Sequence, residues 1–205
     1  MLVGKAICRL VATAPWAWPL IRGPVGRFFD RAADGWDERT AAGSPEHLAT
    51  LAAGLDALES RPERVLDLGC GTGAGTLFLA REFPTASVRG VDLSETMIIR
   101  AQAKIGLDPE GRVTFRTADA SHLPFSDESF DLVTQVNMPV FFGEIARVLR
   151  PGGGVVLATS QGDQTPFSTP EALVRRKLAS HGFEAVHAGE AGEGTWVAAT
   201  LAKNT

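Results

Sequence analysis

The spacing of apolar residues changes near residue 61 of the chain. Before that point apolar residues recur at helical spacing, and the clearest case is a stripe of leucines at positions 48, 51, 55 and 58. Ser44, Pro45 and Glu46 precede this stripe and supply an N-cap, a proline at the first helical position and an acid in the first turn. After residue 61, short apolar runs alternate with helical segments. The pattern predicts a helical extension over residues 1–61 and an α/β domain over residues 62–205.

Seven apolar runs in the second region have the length and composition of strands. They cover residues 64–68, 87–93, 112–118, 130–136, 155–159, 184–188 and 195–201. Helical segments alternate with the earlier runs, whereas a short glycine-rich turn joins the last two and predicts a hairpin. We therefore predict a doubly wound, Rossmann-like α/β fold whose seven-stranded sheet is mostly parallel with an antiparallel last strand. Such a sheet binds ligands at the carboxyl ends of its strands.

Caps and helix-breaking residues mark the helices of this region. One helix is predicted over residues 74–82, and Ser94 is expected to cap the next. A later helix is expected to include Leu149 and to end at Pro151, since proline cannot continue it. Thr169 is expected to cap the last helix.

The first twenty residues are apolar, with a polar stripe formed by Lys5, Arg9 and Thr13 if the segment is helical. Arg9, Pro15 and Pro19 interrupt the apolar residues, so no run approaches the roughly 18 residues of a membrane-spanning helix. The preferred interpretation is a helix that packs on the domain or on another copy of the chain. The alternatives are attachment to a membrane surface and a secretory signal.

The composition of the chain argues against some classes of function. The chain has 205 residues and a formal net charge of −4, which argues against a dedicated nucleic-acid-binding protein. Its two cysteines, Cys8 and Cys70, predict free thiols in a reducing compartment, so we expect a cytoplasmic protein. The four histidines are scattered, and no metal-ligand spacing is visible.

A glycine-rich turn follows the first strand at Gly69–Gly73. Glycines allow a tight turn and a close approach of a ligand to backbone N–H groups at a helix start. Residues 69–74 also satisfy the dinucleotide pattern G-x-G-x-x-G/A, so a nicotinamide enzyme and a turn without a ligand both remain open at this point. Asp92 ends the second strand, where a carboxylate can accept both hydroxyls of a ribose. Asp119 follows the third strand, where a carboxylate can accept the exocyclic amine of adenine.

Four motifs in this order resemble the class I S-adenosylmethionine (SAM)-dependent methyltransferase family. They are V-L-D-L-G-C-G-T-G (65–73), G-V-D-L-S-x-x-M (90–97), A-D-A-x-x-L-P-F-x-D-x-S-F-D-L-V (118–133) and R-V-L-R-P-G-G (147–153). The resemblance implies SAM as the cofactor, S-adenosylhomocysteine (SAH) as its product and no metal. The motifs that contain Leu-Pro-Phe and Arg-Pro-Gly-Gly are not expected in a nicotinamide enzyme, so they disfavour that alternative.

The resemblance also implies roles for the residues of the glycine-rich turn. Gly69, Gly71 and Gly73, together with Thr72, are expected to surround the methionine part of SAM. Asp67 is expected near its amino group.

The residues after the next two strands are expected to hold the adenosine. By the same resemblance, Asp92 binds the ribose, and Leu93 and Met97 lie beside the adenosine. Asp119 and Ala120 contact adenine through a carboxylate and a backbone N–H.

The acceptor side departs from the family pattern because the connections over residues 135–142 and 161–169 are short. Asn137 falls where the family contacts the cofactor and often the substrate, and Met138 follows as a substrate candidate. Because these connections leave no room for an inserted subdomain, we expect the N-terminal extension or a partner chain to cover the acceptor pocket. The partner chain could be a second copy of this chain, in a homodimer formed through the extension. The lid candidates are Phe28, Phe29, Asp30, Trp36, Asp37, Arg39 and Thr40. Among them Trp36 is the substrate candidate, and the phenylalanines have core packing as the simpler explanation.

The sequence identifies no catalytic residue, because the activated methyl group leaves the protein mainly with positioning and desolvation. His47 is interpreted as solvated rather than as a base, His122 as a loop residue, His181 as a helix-end cation and His187 as lying away from the pocket. The leading hypothesis is methyl transfer to a small molecule, lipid-like or aromatic in view of the apolar N-terminus. The alternatives are a non-catalytic SAM-binding protein or partner subunit and, less favoured, an NAD(P)-dependent oxidoreductase.

Overall fold

The computed structural model describes residues 2–58, 61–106, 108 and 110–203. Within these ranges the strands are β1 (Arg64–Leu68), β2 (Ser87–Asp92), β3 (Val113–Thr117), β4 (Phe130–Val136), β5 (Leu149–Thr159), β6 (Phe183–Ala191) and β7 (Gly194–Leu201). They form one seven-stranded sheet in the order β3-β2-β1-β4-β5-β7-β6. β7 pairs antiparallel with β5 and β6, and the other pairs are parallel. The predicted sheet, its antiparallel last strand and its terminal hairpin are confirmed.

Helices cover both faces of the sheet and its carboxyl edge. They are α1 (Leu2–Thr13), α2 (Trp18–Ala32), α3 (Trp36–Thr40), α4 (Pro45–Asp56), α5 (Ala74–Glu82), α6 (Glu95–Ala103), α7 (Phe142–Val148) and α8 (Glu171–Ser180). Ser44 caps α4 and Ser94 caps α6, each accepting a hydrogen bond from the backbone three residues later, as predicted. Residues 59 and 60, beside the predicted domain boundary, lie outside the described residues, and the division at residue 61 stays a prediction.

The core is built from the alternating sides of the strands. In β1, Val65 packs with the apolar faces of α4 and α5, whereas Leu66 and Leu68 pack with α7 and α8 on the other face. All three side chains are fully buried. A sheet buried on both faces explains why its central strands are nearly continuous apolar runs in the sequence.

The predicted end of the helix before β5 is wrong. α7 stops at Val148, and Leu149 is extended, with φ −78° and ψ 140°, and pairs with Phe130 of β4. β5 therefore contains Pro151, which lies where the register against β4 shifts and a ladder hydrogen bond is not required.

The predicted cap of α8 is also wrong. Pro170 occupies the N-cap position, no side chain caps the helix, and the Thr169 hydroxyl is buried without a hydrogen-bond partner. The helix begins one residue too late for Thr169 to act as its cap. Gly182 follows the last turn of α8 with φ +82°, a conformation that favours glycine at the end of a helix.

The N-terminal segment packs on the domain. Cys8, Val11 and Ala12 of α1 are 0–3% exposed, which agrees with the interpretation of this segment as a packing helix. Cys8 and Cys70 are both free thiols, as expected. None of the helices in the described ranges is long and apolar enough to cross a membrane.

The contact between α4 and β5 gives a test of the packing. A β-carbon at Gly54 would lie 2.5 Å from Cγ1 of fully buried Val156. We expect Gly54→Ala to lower the free energy of unfolding by about 1–3 kcal/mol through overpacking. Gly26→Ala in α2 is the control, because its β-carbon would meet Leu93 at 3.6 Å and alanine favours a helix by about 0.5–1 kcal/mol. Urea denaturation measures both, and equal midpoints for the two variants would contradict this packing.

Candidate active site

A cavity of about 440 Å³ lies at the carboxyl ends of β1, β2 and β4 and is closed on one side by the N-terminal helices. It collects nearly all of the predicted site residues. Those that line it are Trp36, Asp67, Gly69, Gly71, Thr72, Asp92, Leu93, Met97, Asp119, Ala120, Asn137 and Met138. Gly73 is the exception and lies outside the cavity wall.

The glycines of the turn have different surroundings. Gly69 and Gly71 have φ +63° and +51°, a left-handed conformation that favours glycine. A β-carbon at Gly69 would lie 2.6 Å from Sδ of Met138, whereas one at Gly71 would face Trp36 at 3.8 Å. Gly73 precedes α5, and its β-carbon would lie 2.7 Å from the Phe115 ring. Gly73 therefore permits close packing behind the turn rather than forming its inner surface.

Asp67 is a buried carboxylate at the end of β1. It accepts hydrogen bonds from the hydroxyls of Thr76, at 2.7 Å, and Thr134, at 3.2 Å. Desolvation raises the pKa of Asp67 to about 6, the two threonines oppose this, and the nearby charge of Asp92 adds to it. A positively charged ligand in the cavity would therefore favour the ionised form of Asp67.

Asp92 joins two turns at the edge of the sheet. Its carboxylate accepts hydrogen bonds from the backbone N–H of Gly71, at 2.9 Å, and of Ser94, at 2.8 Å. Desolvation raises the pKa of Asp92, and the charge of Asp30 adds to this against the two backbone bonds. The backbone N–H of Gly71 is thus already bonded to Asp92. A dinucleotide would bring its pyrophosphate to this N–H, and the carboxylate of Asp92 would repel that pyrophosphate. The arrangement suits a cationic ligand better than an anionic one.

Asp119 is held by the N-terminal extension, which the sequence interpretation did not foresee. The indole Nε1 of Trp18 donates to its Oδ1 and the guanidinium of Arg22 to its Oδ2, both at 2.9 Å. Desolvation alone would raise the pKa of Asp119, but bonds from Ser121, Arg22 and Trp18 hold it below the ordinary value. Trp18 and Arg22 lie about a hundred residues earlier in the chain, and no motif marks them.

Asn137 connects the ends of β4 and β5. Its side-chain amide donates to the Ser160 hydroxyl at 2.8 Å and accepts from the Ser160 backbone N–H at 3.0 Å. Asn137 itself has φ +55°. Its side chain thereby fixes the edge of the cavity opposite Asp92.

Polar bonds tie the lid candidates to the rest of the site. Asp30 accepts from the Ser94 hydroxyl at 2.6 Å, and Asp37 accepts from the Thr72 hydroxyl and pairs with Lys104. These bonds connect α2 and α3 to the helix cap after β2 and to the glycine-rich turn.

The aromatic lid candidates separate into two groups. The Phe29 ring lies 5.7 Å from the Trp36 ring and 5.6 Å from the Phe167 ring, and all three line the cavity. Phe28 is 59% exposed, so the core-packing explanation is wrong for this residue. Phe167, in the connection after β5, was not singled out from the sequence.

The four histidines differ in their position relative to the cavity. His47 lines the cavity, whereas His122, His181 and His187 do not. The Nδ1 atom of His181 lies 2.8 Å from the carbonyl oxygen of Lys177 at the end of α8, which agrees with its predicted position at a helix terminus. Among the residues that the structure describes, no group of three or more acidic, histidine or cysteine side chains could hold a metal ion.

Comparison with known proteins agrees with this geometry. Residues 65–153, which contain the glycine-rich turn, Asp92, Asp119 and β4, match the family described as "Methyltransferase domain". This region of the chain is therefore similar to methyltransferase domains. The matched region supplies the three carboxylates of the cavity wall, Asp67, Asp92 and Asp119.

Individual relatives support the same assignment. The chain is 46% identical over 110 residues to demethylmenaquinone methyltransferase of Lactiplantibacillus plantarum, a match covering 49% of this chain and 46% of that protein. It is 39% identical over 107 residues to methyltransferase GfsG of Streptomyces halstedii, covering 48% of this chain and 38% of that protein. The chain thus spans less than half the length of these curated relatives.

A solved structure shows the same fold. A SAM-dependent methyltransferase from Thermotoga maritima superposes with a TM-score of 0.65 at 17% identity, covering 86% of this chain and 99% of that chain. The agreement extends over the seven-stranded sheet and beyond the region matched by the family.

The raised pKa of Asp67 predicts that the binding of SAM in this cavity depends on pH. Protonated Asp67 is neutral, so SAM should bind about tenfold more weakly at pH 5 than at pH 7, since each unit below a pKa near 6 removes about nine-tenths of the ionised form. Isothermal titration calorimetry measures this. Asp67→Asn should abolish that dependence.

The control for this titration is Asp119→Asn. Because the pKa of Asp119 lies below its ordinary value, this carboxylate stays ionised over the same range. Its loss should weaken binding by a similar factor at every pH. An unchanged slope in Asp67→Asn would assign the titration to another group.

Proposed function

We propose that this chain transfers the methyl group of SAM to a small, apolar acceptor. The observation that carries the proposal is the meeting of two kinds of wall in one cavity. Asp67, Asp92 and Asp119 bring carboxylates from the strand ends, and the N-terminal extension brings aromatic side chains. When bound, SAM supplies a methyl group on a positively charged sulfur, which an acceptor nucleophile attacks in line.

The cofactor half of this proposal assigns the polar wall. Gly69, Gly71 and Thr72 surround the methionine part, with Asp67 near its amino group. Asp92 holds the ribose. The charge argument supports this arrangement, because Asp67 and Asp92 have raised pKa values that a cationic ligand would lower.

The adenine part of the cofactor is assigned to the neighbouring wall. Asp119 accepts the adenine amine and the Ala120 N–H donates to the ring, with Leu93 and Met97 beside the adenosine. Because Trp18 and Arg22 orient Asp119, the extension also supports the adenine site. Gly73 acts indirectly, through the packing described above.

The acceptor half uses the apolar wall. Trp36 and Met138 are the substrate-side residues, and Asn137 is assigned to contact both the cofactor and the substrate. The chain's relatives include proteins named for methylating demethylmenaquinone and fatty acids, which supports an apolar small-molecule acceptor. The indole ring of Trp36 and the thioether of Met138 suit such an acceptor, because both make dispersion contacts and bury apolar area.

Ligand-dependent stability tests the cofactor assignment. SAM or SAH at about 100 times its dissociation constant should add about 2.7 kcal/mol to the free energy of unfolding, whereas NADH should add nothing. Asp92→Asn should weaken SAM binding by about 10–100-fold, because a hydrogen bond to a charged group contributes about 1.5–3 kcal/mol. Asp56→Asn, at the exposed end of α4, is the control.

Two results would count against this proposal. Stabilisation by NADH and not by SAM would replace it with a nicotinamide enzyme. Stabilisation by SAM without product formation from any acceptor would favour the non-catalytic SAM-binding alternative.

The homodimer through the N-terminal extension also belongs to this proposal, as does the cytoplasmic location. Val3, Trp16, Leu20 and Phe28, all in the extension, are 59–78% exposed, and such apolar residues favour contact with a partner. Size-exclusion chromatography with light scattering should give twice the 21.7 kDa chain mass. The double variant Trp16→Ser, Leu20→Ser should elute as a monomer with the same thermal stability, and a monomeric parent protein would refute the dimer.

A further inference from the structure

His47 lies where the acceptor half of the cavity meets α4. This helix runs antiparallel to β5, with Leu58 near Gly154 and Gly54 near Val156, so its first turn lies at the carboxyl end of the sheet. His47 is in that first turn, is partly buried and lines the cavity. Its backbone N–H bonds to the Ser44 cap at 3.1 Å, so the side chain is not needed for the cap.

The carboxylates that line the same cavity are already engaged. Asp67 is bonded to two threonine hydroxyls, Asp92 to two backbone N–H groups, and Asp119 to Trp18 and Arg22. All three lie at the ends of the first three strands, on the side assigned to the cofactor. A carboxylate that neutralises a cationic cofactor is a poor acceptor for a further proton.

The other titratable groups in the cavity wall are unsuitable as bases. Burial raises the pKa of the Cys70 thiol, which keeps it protonated. The Arg39 guanidinium, bonded to the carbonyls of Asp34 and Ala32, has no basic lone pair. Among the described residues that line the cavity, His47 therefore remains as the neutral base.

The surroundings of His47 keep its ring neutral near pH 7. Burial lowers its pKa, and the backbone of Thr40 partly opposes this by favouring the charged ring. A neutral imidazole has one ring nitrogen without a proton, and this nitrogen can accept one.

The charged and titratable groups of the elements around α4 are largely absent from this cavity. They are Glu46 and Asp56 on α4, Asp37, Glu38 and Arg39 on α3, and Asp131, Arg150, Glu184, His187 and Glu190 on the strands beneath. Of these, only Arg39 shares the cavity wall with His47. None is a cause of the His47 shift, which comes from burial and the Thr40 backbone.

We propose that His47 is the general base for an acceptor that carries a hydroxyl on an apolar or aromatic body. This inference rests on the proposed methyl transfer. The hydroxyl is implied by the presence of a base, since a neutral amine or a thiolate can attack without one. The apolar body is implied by Phe29, Trp36, Phe167 and Met138 in the same cavity.

The step balances without another reactant. The acceptor oxygen forms a bond to the methyl carbon while the carbon–sulfur bond breaks, and that bond's electron pair stays on sulfur. The hydroxyl proton passes to the free nitrogen of His47, so the positive charge lost from sulfur appears on the imidazolium. Solvent then takes this proton before the next turnover.

Histidine NMR tests the inference without turnover. The chain has four histidines, so labelled imidazoles can be assigned by difference with His47→Gln. In the SAH complex, the pKa of His47 should lie below 6.5, and its resonances should shift saturably when 2-naphthol is added, while those of His187 stay fixed. A pKa at or above 6.5, or no response to 2-naphthol, would overturn the assignment.

Kinetics with a panel of phenols and naphthols provides the second test. His47→Gln should bind SAH as the parent protein does but form product from hydroxylated acceptors about 10²–10⁴-fold more slowly. At saturating SAM, where the titration of Asp67 no longer limits cofactor binding, the parent rate should fall as the pH drops below the pKa of His47. The rate of His47→Gln should not show this fall. His187→Gln, on exposed β6, is the matched control and should behave as the parent.

The outcomes separate the two proposals. Failure of SAM and SAH to bind would remove the proposed function. Normal SAH binding with parent-like transfer by His47→Gln would remove the general base alone.

Discussion

The site depends on the carboxylate of Asp92, which accepts hydrogen bonds from the N–H groups of Gly71 and Ser94. These bonds connect the turn after β1 to the turn after β2 and set the shape of the cavity between two parallel strands. They also place a negative charge where a dinucleotide fold uses free N–H groups for a phosphate. One side chain thus determines both the geometry of the glycine-rich turn and the charge of the ligand that suits it.

The N-terminal extension completes the site by bonding to polar groups of the sheet edge. Trp18 and Arg22 hold Asp119, Asp30 holds the cap of α6, and Asp37 holds Thr72. Each of these bonds joins residues far apart in sequence, and each places an aromatic-rich helix over the cavity. The extension therefore orients residues that we propose to bind the cofactor, and it covers the side of the cavity that we propose for the acceptor.

Most of the fold, and the meeting of the cofactor candidates in one cavity, could be predicted from the sequence because their signals are local. The limits of β1, α5 and β4 follow from short apolar runs and glycine turns, and the strand ends carry Asp67 and Asp92. The interactions of Asp119 with Trp18 could not be predicted, since a pair a hundred residues apart leaves no periodic signal. The end of α7 was mispredicted because pairing with β4 overrode the helical pattern at Leu149. The position of His47 in the cavity wall could not be predicted for a similar reason, because only tertiary packing brings the start of α4 to the cavity.

The extension contributes cavity walls but no strand to the sheet, and this separates two properties of the molecule. The sheet and its turns carry the residues assigned to the cofactor, and their identities are constrained by a core buried on both faces. The helices of residues 18–40 carry Phe29 and Trp36, which pack on each other rather than in that core. Substrate preference can consequently diverge between related chains by exchange of this short segment, at little cost to the stability of the domain beneath it.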